Sequence, residues 1–207
     1  MEKRTIFVTG IGTDVGKTIA SAILTEHLQA DYWKPIQAGD LENSDTIKIK
    51  KLISNKKTLF HASSYALKTP ASPHYAAFLD EIEIDVNQIN VPKTENHLVI
   101  EGAGGIFVPL NNQETILDII PKNADIVIVS RHYLGSINHT LLTVEALKQA
   151  KKNILGIIFN GNDISKSEEI ILQKTGLTKL FHINEEPYFD QNVISEYADN
   201  LDLTKIM

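Results

Sequence analysis

Gly10-Ile11-Gly12-Thr13-Asp14-Val15-Gly16-Lys17-Thr18 follows directly on the apolar run Ile6-Phe7-Val8. A strand that ends in a glycine-bearing loop closed by Gly-Lys-Thr is the layout of a phosphate cradle. Backbone N–H groups wrap the phosphates, the lysine reaches the outer ones and the threonine hydroxyl goes to Mg²⁺. Downstream, Ile19, Ala22, Ile23 and Leu28 give an apolar face at helical spacing, so a helix opening near Lys17 adds its positive dipole end to the same spot. Gly10 stands one residue further from Gly16 than in the usual spacing, and Ile11 holds the usual glycine position. Glycines serving only a strand–turn–helix corner are the plain alternative; the strand before and the amphipathic stretch after argue for phosphate. The ligand expected from this stretch is ATP or GTP.

Outward from the loop, short apolar runs alternate with amphipathic stretches. The strands expected are Thr5–Thr9, Tyr32–Ile36, His97–Glu101, Asp125–Ser130, Ile154–Phe159 and Leu180–Ile183. The helices expected are Lys17–Gln29, Asp45–Ile53, Asn138–Lys151, Lys166–Thr175 and Val193–Asp199. Runs such as Ile126-Val127-Ile128-Val129 are apolar on both faces, as parallel strands covered by helices are. The fold class expected is α/β: a mostly parallel open sheet with helices on both faces, P-loop NTPase-like, with residues 1–207 as one catalytic domain. Residues 59–95, with Pro70, Pro73 and Pro92, break the rhythm and read as a long irregular excursion of the kind that binds substrate.

Composition narrows the function. The 207 residues carry 26 acidic and 20 basic side chains, a net charge of −6, with seven histidines and no cysteine. Disulfides, thiolate chemistry and cysteine metal sites are excluded. The acidic balance and the short basic patches Lys48-Ile49-Lys50-Lys51 and Lys56-Lys57 give no support to nucleic-acid binding. No apolar stretch reaches membrane-spanning length, and Met1-Glu2-Lys3-Arg4 runs straight into strand-like sequence without a signal peptide, so the expected location is cytoplasmic. The histidines show no ligand spacing on one helix face, which argues against a histidine metal site, and Trp33, inside a strand, reads as core.

In an open α/β sheet, ligands sit beyond the carboxyl ends of the strands. There the sequence delivers Lys34-Pro35-Ile36-Gln37-Ala38-Gly39, then Asn43-Ser44-Asp45, and then Glu101-Gly102-Ala103-Gly104-Gly105. Thr18, Asp45 and Glu101 form an oxygen set suited to Mg²⁺. Asp45 is equally suited to capping a helix. Lys34 has no obvious acidic partner in sequence; it reads as a solvent-facing lysine or as a second cation on a transferring phosphoryl group. The glycines after Glu101 read as a tight turn or as backbone brought against a ligand.

With those pieces in order the chain resembles the dethiobiotin synthetase family over nearly its whole length. The match rests on Val8–Thr18, Lys34–Gly39, Asn43–Asp45, Pro70–Ala77, Glu101–Gly105 with Pro109-Leu110, and Leu134–His139. The longer phosphate loop is the form this family uses. The resemblance implies conversion of 7,8-diaminononanoate, CO₂ (or bicarbonate) and ATP to dethiobiotin, ADP and phosphate with Mg²⁺. It implies Lys17, Lys34 and Thr13 at the reacting groups, and Thr18, Asp45 and Glu101 on Mg²⁺. Gly12, Thr13, Asp14, Val15, Gly16, Lys17, Thr18, Glu101, Gly104 and Asn160 would border the nucleotide. Lys34 and Ala38 would meet the substrate. Gly135, Ser136, Ile137 and Asn138, opening a helix in the second subunit of a homodimer, would hold its distant carboxylate. Departures are Ala38, where the family often has Ser or Thr, Gly161, where Arg is common, and a short Ile183–Pro187 segment. Partition-type regulatory ATPases are the runner-up, but no lysine lies between Gly10 and Gly16 as they require. A corrin-pathway amide-forming enzyme would need a cysteine-bearing glutaminase domain, and a purely structural nucleotide module leaves Lys34, Asp45 and Glu101 without a task.

Overall fold

A computed structural model describes residues 3–162 and 164–202. Strands β1 (Thr5–Gly10), β2 (Asp31–Trp33), β4 (Phe60–His61), β6 (Leu98–Gly105), β7 (Asp125–Arg131), β8 (Asn153–Asn160) and β9 (Lys179–Ile183) form one seven-stranded sheet. Its order is β4-β2-β6-β1-β7-β8-β9, and every pairing is parallel. The helices are α1 (Lys17–Leu28), α2 (Asp45–Leu52), α3 (Pro73–Leu79), α4 (Ser136–Gln149), α5 (Ser165–Thr175) and α6 (Gln191–Asp199).

The sheet core is the set of apolar runs read from sequence. Ile6, Phe7, Val8, Val99, Ile100, Ile126 to Val129 and Ile157 to Phe159 are fully buried. Truncating one such side chain to alanine costs about 2–5 kcal/mol. Helix α1 packs with α2 and α6, and α4 packs with α5. The chain winds away from β1 in both directions, and right-handed crossovers in opposite directions put these two groups on opposite faces. The order reverses at β1, between β6 and β7, so the crevice at its carboxyl end is where a ligand is expected.

The structure corrects several expected boundaries. The Tyr32–Ile36 strand is two strands: β2 ends at Trp33, and β3 (Ile36–Ala38) leaves the main sheet to pair with β5 (Tyr65–Leu67). Pro35 has no N–H to continue a ladder, so the break falls there. The excursion over 59–95 is not irregular throughout, since it holds β4, β5 and α3, which carries Pro73 in its first turn. Strand β6 runs on through Gly105, so Gly102–Gly105 extends the strand and is no tight turn. Helix α4 opens at Ser136, two residues earlier than expected, with Gly135 (φ 106°) as its N-cap and no side-chain cap.

Candidate active site

Backbone sterics dictate the shape of the phosphate loop. A Cβ on Gly10 would lie 2.5 Å from Val15 Cγ2, and Gly16 (φ +97°) would bring one to 2.3 Å from Asn160 Nδ2. Two strand ends strap the loop from behind. Asn160 Nδ2 donates to the Val15 carbonyl at 2.9 Å, and Arg131 Nη1 donates to the Asp14 carbonyl at 3.2 Å. Lys17 folds back over the loop and donates to the Gly12 carbonyl at 2.8 Å. Burial lowers its pKa to about 8, with Glu101 opposing that shift and Lys34 adding to it.

Beside the loop, β2, β6, α1 and α2 bring four polar side chains to one point. Thr18 Oγ1 lies 3.2 Å from Asp45 Oδ1 and 3.1 Å from Glu101 Oε1. The Lys34 ammonium, which has no obvious acidic partner in sequence, is buried and not solvent-facing, and sits 2.6 Å from Asp45 Oδ2 and 2.8 Å from Glu101 Oε1. Burial alone would push the Lys34 pKa down, but Glu101 and Asp45 more than offset it and the pKa is raised. Burial likewise raises the Asp45 carboxyl, yet Lys34 outweighs it and holds the group below its usual value. Ser44, not Asp45, caps α2, accepting from the Ile47 N–H, so the Asp45 carboxylate is directed into the cluster.

Two positioning side chains were not singled out in the sequence. The fully buried Tyr32 hydroxyl donates to Glu101 Oε2 at 3.0 Å, which leaves Oε1 facing Thr18 and Lys34. Tyr32 precedes Lys34 by two residues, the spacing that puts side chains on one side of an extended segment. Gln37 donates to the Gly39 carbonyl at 3.0 Å and accepts from the Asp45 N–H at 3.3 Å, tying β3 to the start of α2.

These groups line a cleft of about 830 Å³ that includes Thr13, Asp14, Val15, Gly16, Lys17, Thr18, Lys34, Ala38, Asp45, Glu101 and Gly104. Its outer wall is Pro70 to Pro73, from the excursion. Gly12 joins through the Lys17 bond, and Asn160 stands behind the loop. Gly135, Ser136, Ile137 and Asn138 are not among the cleft's lining residues; they lie past the end of β7, beside the fully exposed Leu134. Trp33 is buried and donates to the Ala62 carbonyl at 3.0 Å, a core role.

A second polar cluster stands at the far end of the sheet edge, built from residues that no helical spacing links. Glu168 Oε1 takes His132 Nε2 at 3.1 Å and His182 Nδ1 at 2.7 Å, and Oε2 takes the Lys179 ammonium at 2.5 Å. His182 Nε2 meets the Gly161 carbonyl at 2.7 Å. His132 also stacks on Phe159 with centroids 5.6 Å apart. The network fixes the residues that follow Arg131 and Asn160, and with them the ends of β7 and β8.

Comparison with known proteins bears on the family and the fold. A family model described as an AAA domain matches residues 4–193. The ATP-dependent dethiobiotin synthetase of Christiangramia forsetii is 56% identical over 197 residues, covering 95% of each chain. That of Cytophaga hutchinsonii is 47% identical, covering 94% of this chain and 95% of its own. Among solved structures, a ParA family ATPase from Chlorobium tepidum superposes with a TM-score of 0.59 at 13% identity, covering 99% of this chain and 95% of its own. The septum site-determining protein MinD from Pyrococcus horikoshii, complexed with Mg-ADP, gives 0.60 at 15% identity, covering 99% and 89%. At such identities the two superpositions speak for the fold alone. The fold is that of the P-loop nucleotide-binding proteins, and by its relatives across almost the full length this chain belongs to the ATP-dependent dethiobiotin synthetase family.

Proposed function

We propose that this chain closes the ureido ring of dethiobiotin from 7,8-diaminononanoate, CO₂ and ATP, releasing ADP and phosphate, with residues 1–207 acting as one catalytic domain. The observation that carries the reading is the meeting of Lys17, Thr18, Lys34, Asp45 and Glu101 in one cleft, past the ends of β1 and β2 and beside the middle of β6. Two lysines and three oxygen donors at one point suit the transfer of a phosphoryl group to an anionic acceptor.

In this scheme one substrate amine captures CO₂ as a carbamate and loses a proton. A carbamate oxygen attacks the γ-phosphorus of ATP, giving a carbamic–phosphoric anhydride and ADP. The second amine then attacks the carbonyl carbon, and phosphate leaves with the bridging oxygen. Residues Gly12 to Thr18 hold the phosphates, Lys17 and Lys34 stand on either side of the transferring group, and Thr13 adds a hydroxyl from the loop. Asn160 and the Asp14 side of the loop face the nucleoside. Ala38 leaves the carbamate without a hydroxyl partner at that position.

Mg²⁺ fits the set Thr18, Asp45 and Glu101. The donors are all hard oxygens, and the Lys34 ammonium already stands among them as a cation. Bound there, Mg²⁺ would supply positive charge against the charge that develops on the phosphates. Tyr32 orients the Glu101 carboxylate, and Gln37 holds the Asp45 backbone.

A homodimer completes the site in this reading. The segment Gly135–Asn138 at the start of α4 is offered to the substrate carboxylate of the second subunit. Leu134, Tyr133 and Leu142 are exposed around it, as an apolar interface requires. No helix of the described residues is long and apolar enough to cross a membrane, and we place the reaction in the cytoplasm. The test is turnover with each component omitted in turn, with dethiobiotin read by mass spectrometry. Product that requires ATP, Mg²⁺, bicarbonate and the diamine is the expected result; ATP hydrolysis without product would contradict it.

A further inference from the structure

Sheet order fixes the direction of a nucleotide on this molecule. The groups that meet the terminal phosphate, Lys34, Asp45 and Glu101, lie on the β6 and β2 side of the β1 loop. The nucleoside therefore runs the other way, over the ends of β7, β8 and β9. This direction rests on the proposed function above.

At that end Arg131 closes β7 and is the register partner of Asn160 on β8. Its guanidinium spans two loops. Nη1 donates to the Asp14 carbonyl of the phosphate loop at 3.2 Å, and Nη2 lies 3.9 Å from Glu185 Oε1 in the segment after β9. The Arg131 side chain is 46% exposed and that of Glu185 52%, so both have room to meet a ligand.

The backbone beneath them is fixed. His132 N–H donates to the Asn160 carbonyl at 3.0 Å, and Gly161 N–H to the Ile183 carbonyl at 3.0 Å. The Glu168 network then holds His132 directly and Gly161 through His182. A planar, delocalised cation on a rigid floor beside a phosphate loop is chemically matched to the face of a heteroaromatic ring.

We propose that Arg131 is a nucleotide-binding residue: its guanidinium lies over the purine ring and holds the base between the phosphate loop and the Glu185 segment, with Glu185 as the counter-charge that keeps it turned inward. Arg131 is reached by no step of the phosphoryl chemistry, so its main effect is on nucleotide affinity, beside its bond to the Asp14 carbonyl of the loop. Loss of the guanidinium weakens nucleotide binding by about tenfold, the size of a partly desolvated cation–π contact.

The experiment is isothermal titration of Mg·ADP and of Mg·tripolyphosphate into the wild-type chain, Arg131→Ala and Arg131→Lys. Expected is an ADP affinity about tenfold lower in Arg131→Ala, recovered by less than half in Arg131→Lys, which keeps the charge but not the plane. Tripolyphosphate, which has no base, should lose clearly less affinity than ADP in Arg131→Ala, its loss being the share due to the bond to the Asp14 carbonyl. An ADP affinity within about twofold of wild type in Arg131→Ala overturns the assignment. So does an equal loss for ADP and tripolyphosphate, which would mean that Arg131 acts by supporting the phosphate loop through the Asp14 carbonyl. Failure of the wild-type chain to bind either ligand would instead overturn the nucleotide site itself, and the assignment with it.

Discussion

Lys34→Met removes an ammonium from between two carboxylates while keeping most of its apolar stem. In the structure Lys34 Nζ lies 2.6 Å from Asp45 Oδ2 and 2.8 Å from Glu101 Oε1, and the three side chains are 6, 20 and 1% exposed. Without the lysine, two buried carboxylates face each other with Thr18 as their shared hydroxyl. Breaking a buried pair in this way costs about 3–5 kcal/mol, and the partial exposure of Asp45 points to the lower end. For a chain of this size each kcal/mol moves Tm by about 2–4 °C, so the variant should melt about 6–12 °C below wild type in EDTA. Mg²⁺ stabilises the variant more than the wild type. The vacated acid pair is a better cation site than the lysine-filled one, and saturation to about a hundredfold over Kd returns about 2.7 kcal/mol. Thermal unfolding of both proteins in EDTA and in excess MgCl₂ measures this. A variant Tm within about 2 °C of wild type in EDTA, or an equal Mg²⁺ response in both, would refute the reasoning.

The Lys17 pKa of about 8, set mainly by burial, makes nucleotide affinity pH-dependent. Only the ammonium attracts phosphate, so Kd for Mg·ADP should rise by up to about tenfold per pH unit above about pH 8, and Lys17→Arg should abolish the inflection. A flat Kd from about pH 7 to 9.5 in the wild type would contradict this. Glu101→Gln removes one of two negative charges from the proposed Mg²⁺ set and should raise the half-saturating Mg²⁺ concentration by about tenfold or more; an unchanged titration removes Glu101 from that set. Ala38→Ser should hold or improve turnover, because it returns a hydroxyl to the pocket wall beside Lys34, and a large loss would mean that the carbamate lies elsewhere.

What was legible in the chain was local. The loop from Gly10 to Thr18 carries its own strand, turn and helix, so its reading needed no distant partner. Apolar runs at β1, β6, β7 and β8 placed the parallel sheet for the same reason. The Lys34 pairs were not legible, since its partners come from α2 and β6, the latter 67 residues away. The break between β2 and β3 was written in Pro35, whose missing N–H ends a ladder, although the run Tyr32–Ile36 reads as one strand. Strands β4 and β5 are too short to carry a period. Arg131 did carry a signal: it is the charged residue at the carboxyl end of an apolar parallel strand, the rule that picked out Lys34 and Glu101. Glu168 and its two histidines gave none, because α5, β9 and the segment after β7 meet only in the folded chain.

The central claim is that the cleft between the phosphate loop and Lys34 joins a carbamate oxygen to the γ-phosphorus of ATP. Brief turnover with ¹⁸O-labelled CO₂, quenched before the label exchanges with water, tests it most directly by mass spectrometry of the released phosphate. The account predicts one ¹⁸O in the phosphate for each dethiobiotin formed, because the bridging oxygen leaves with phosphorus when the ring closes. Phosphate free of label, formed alongside product, would contradict it.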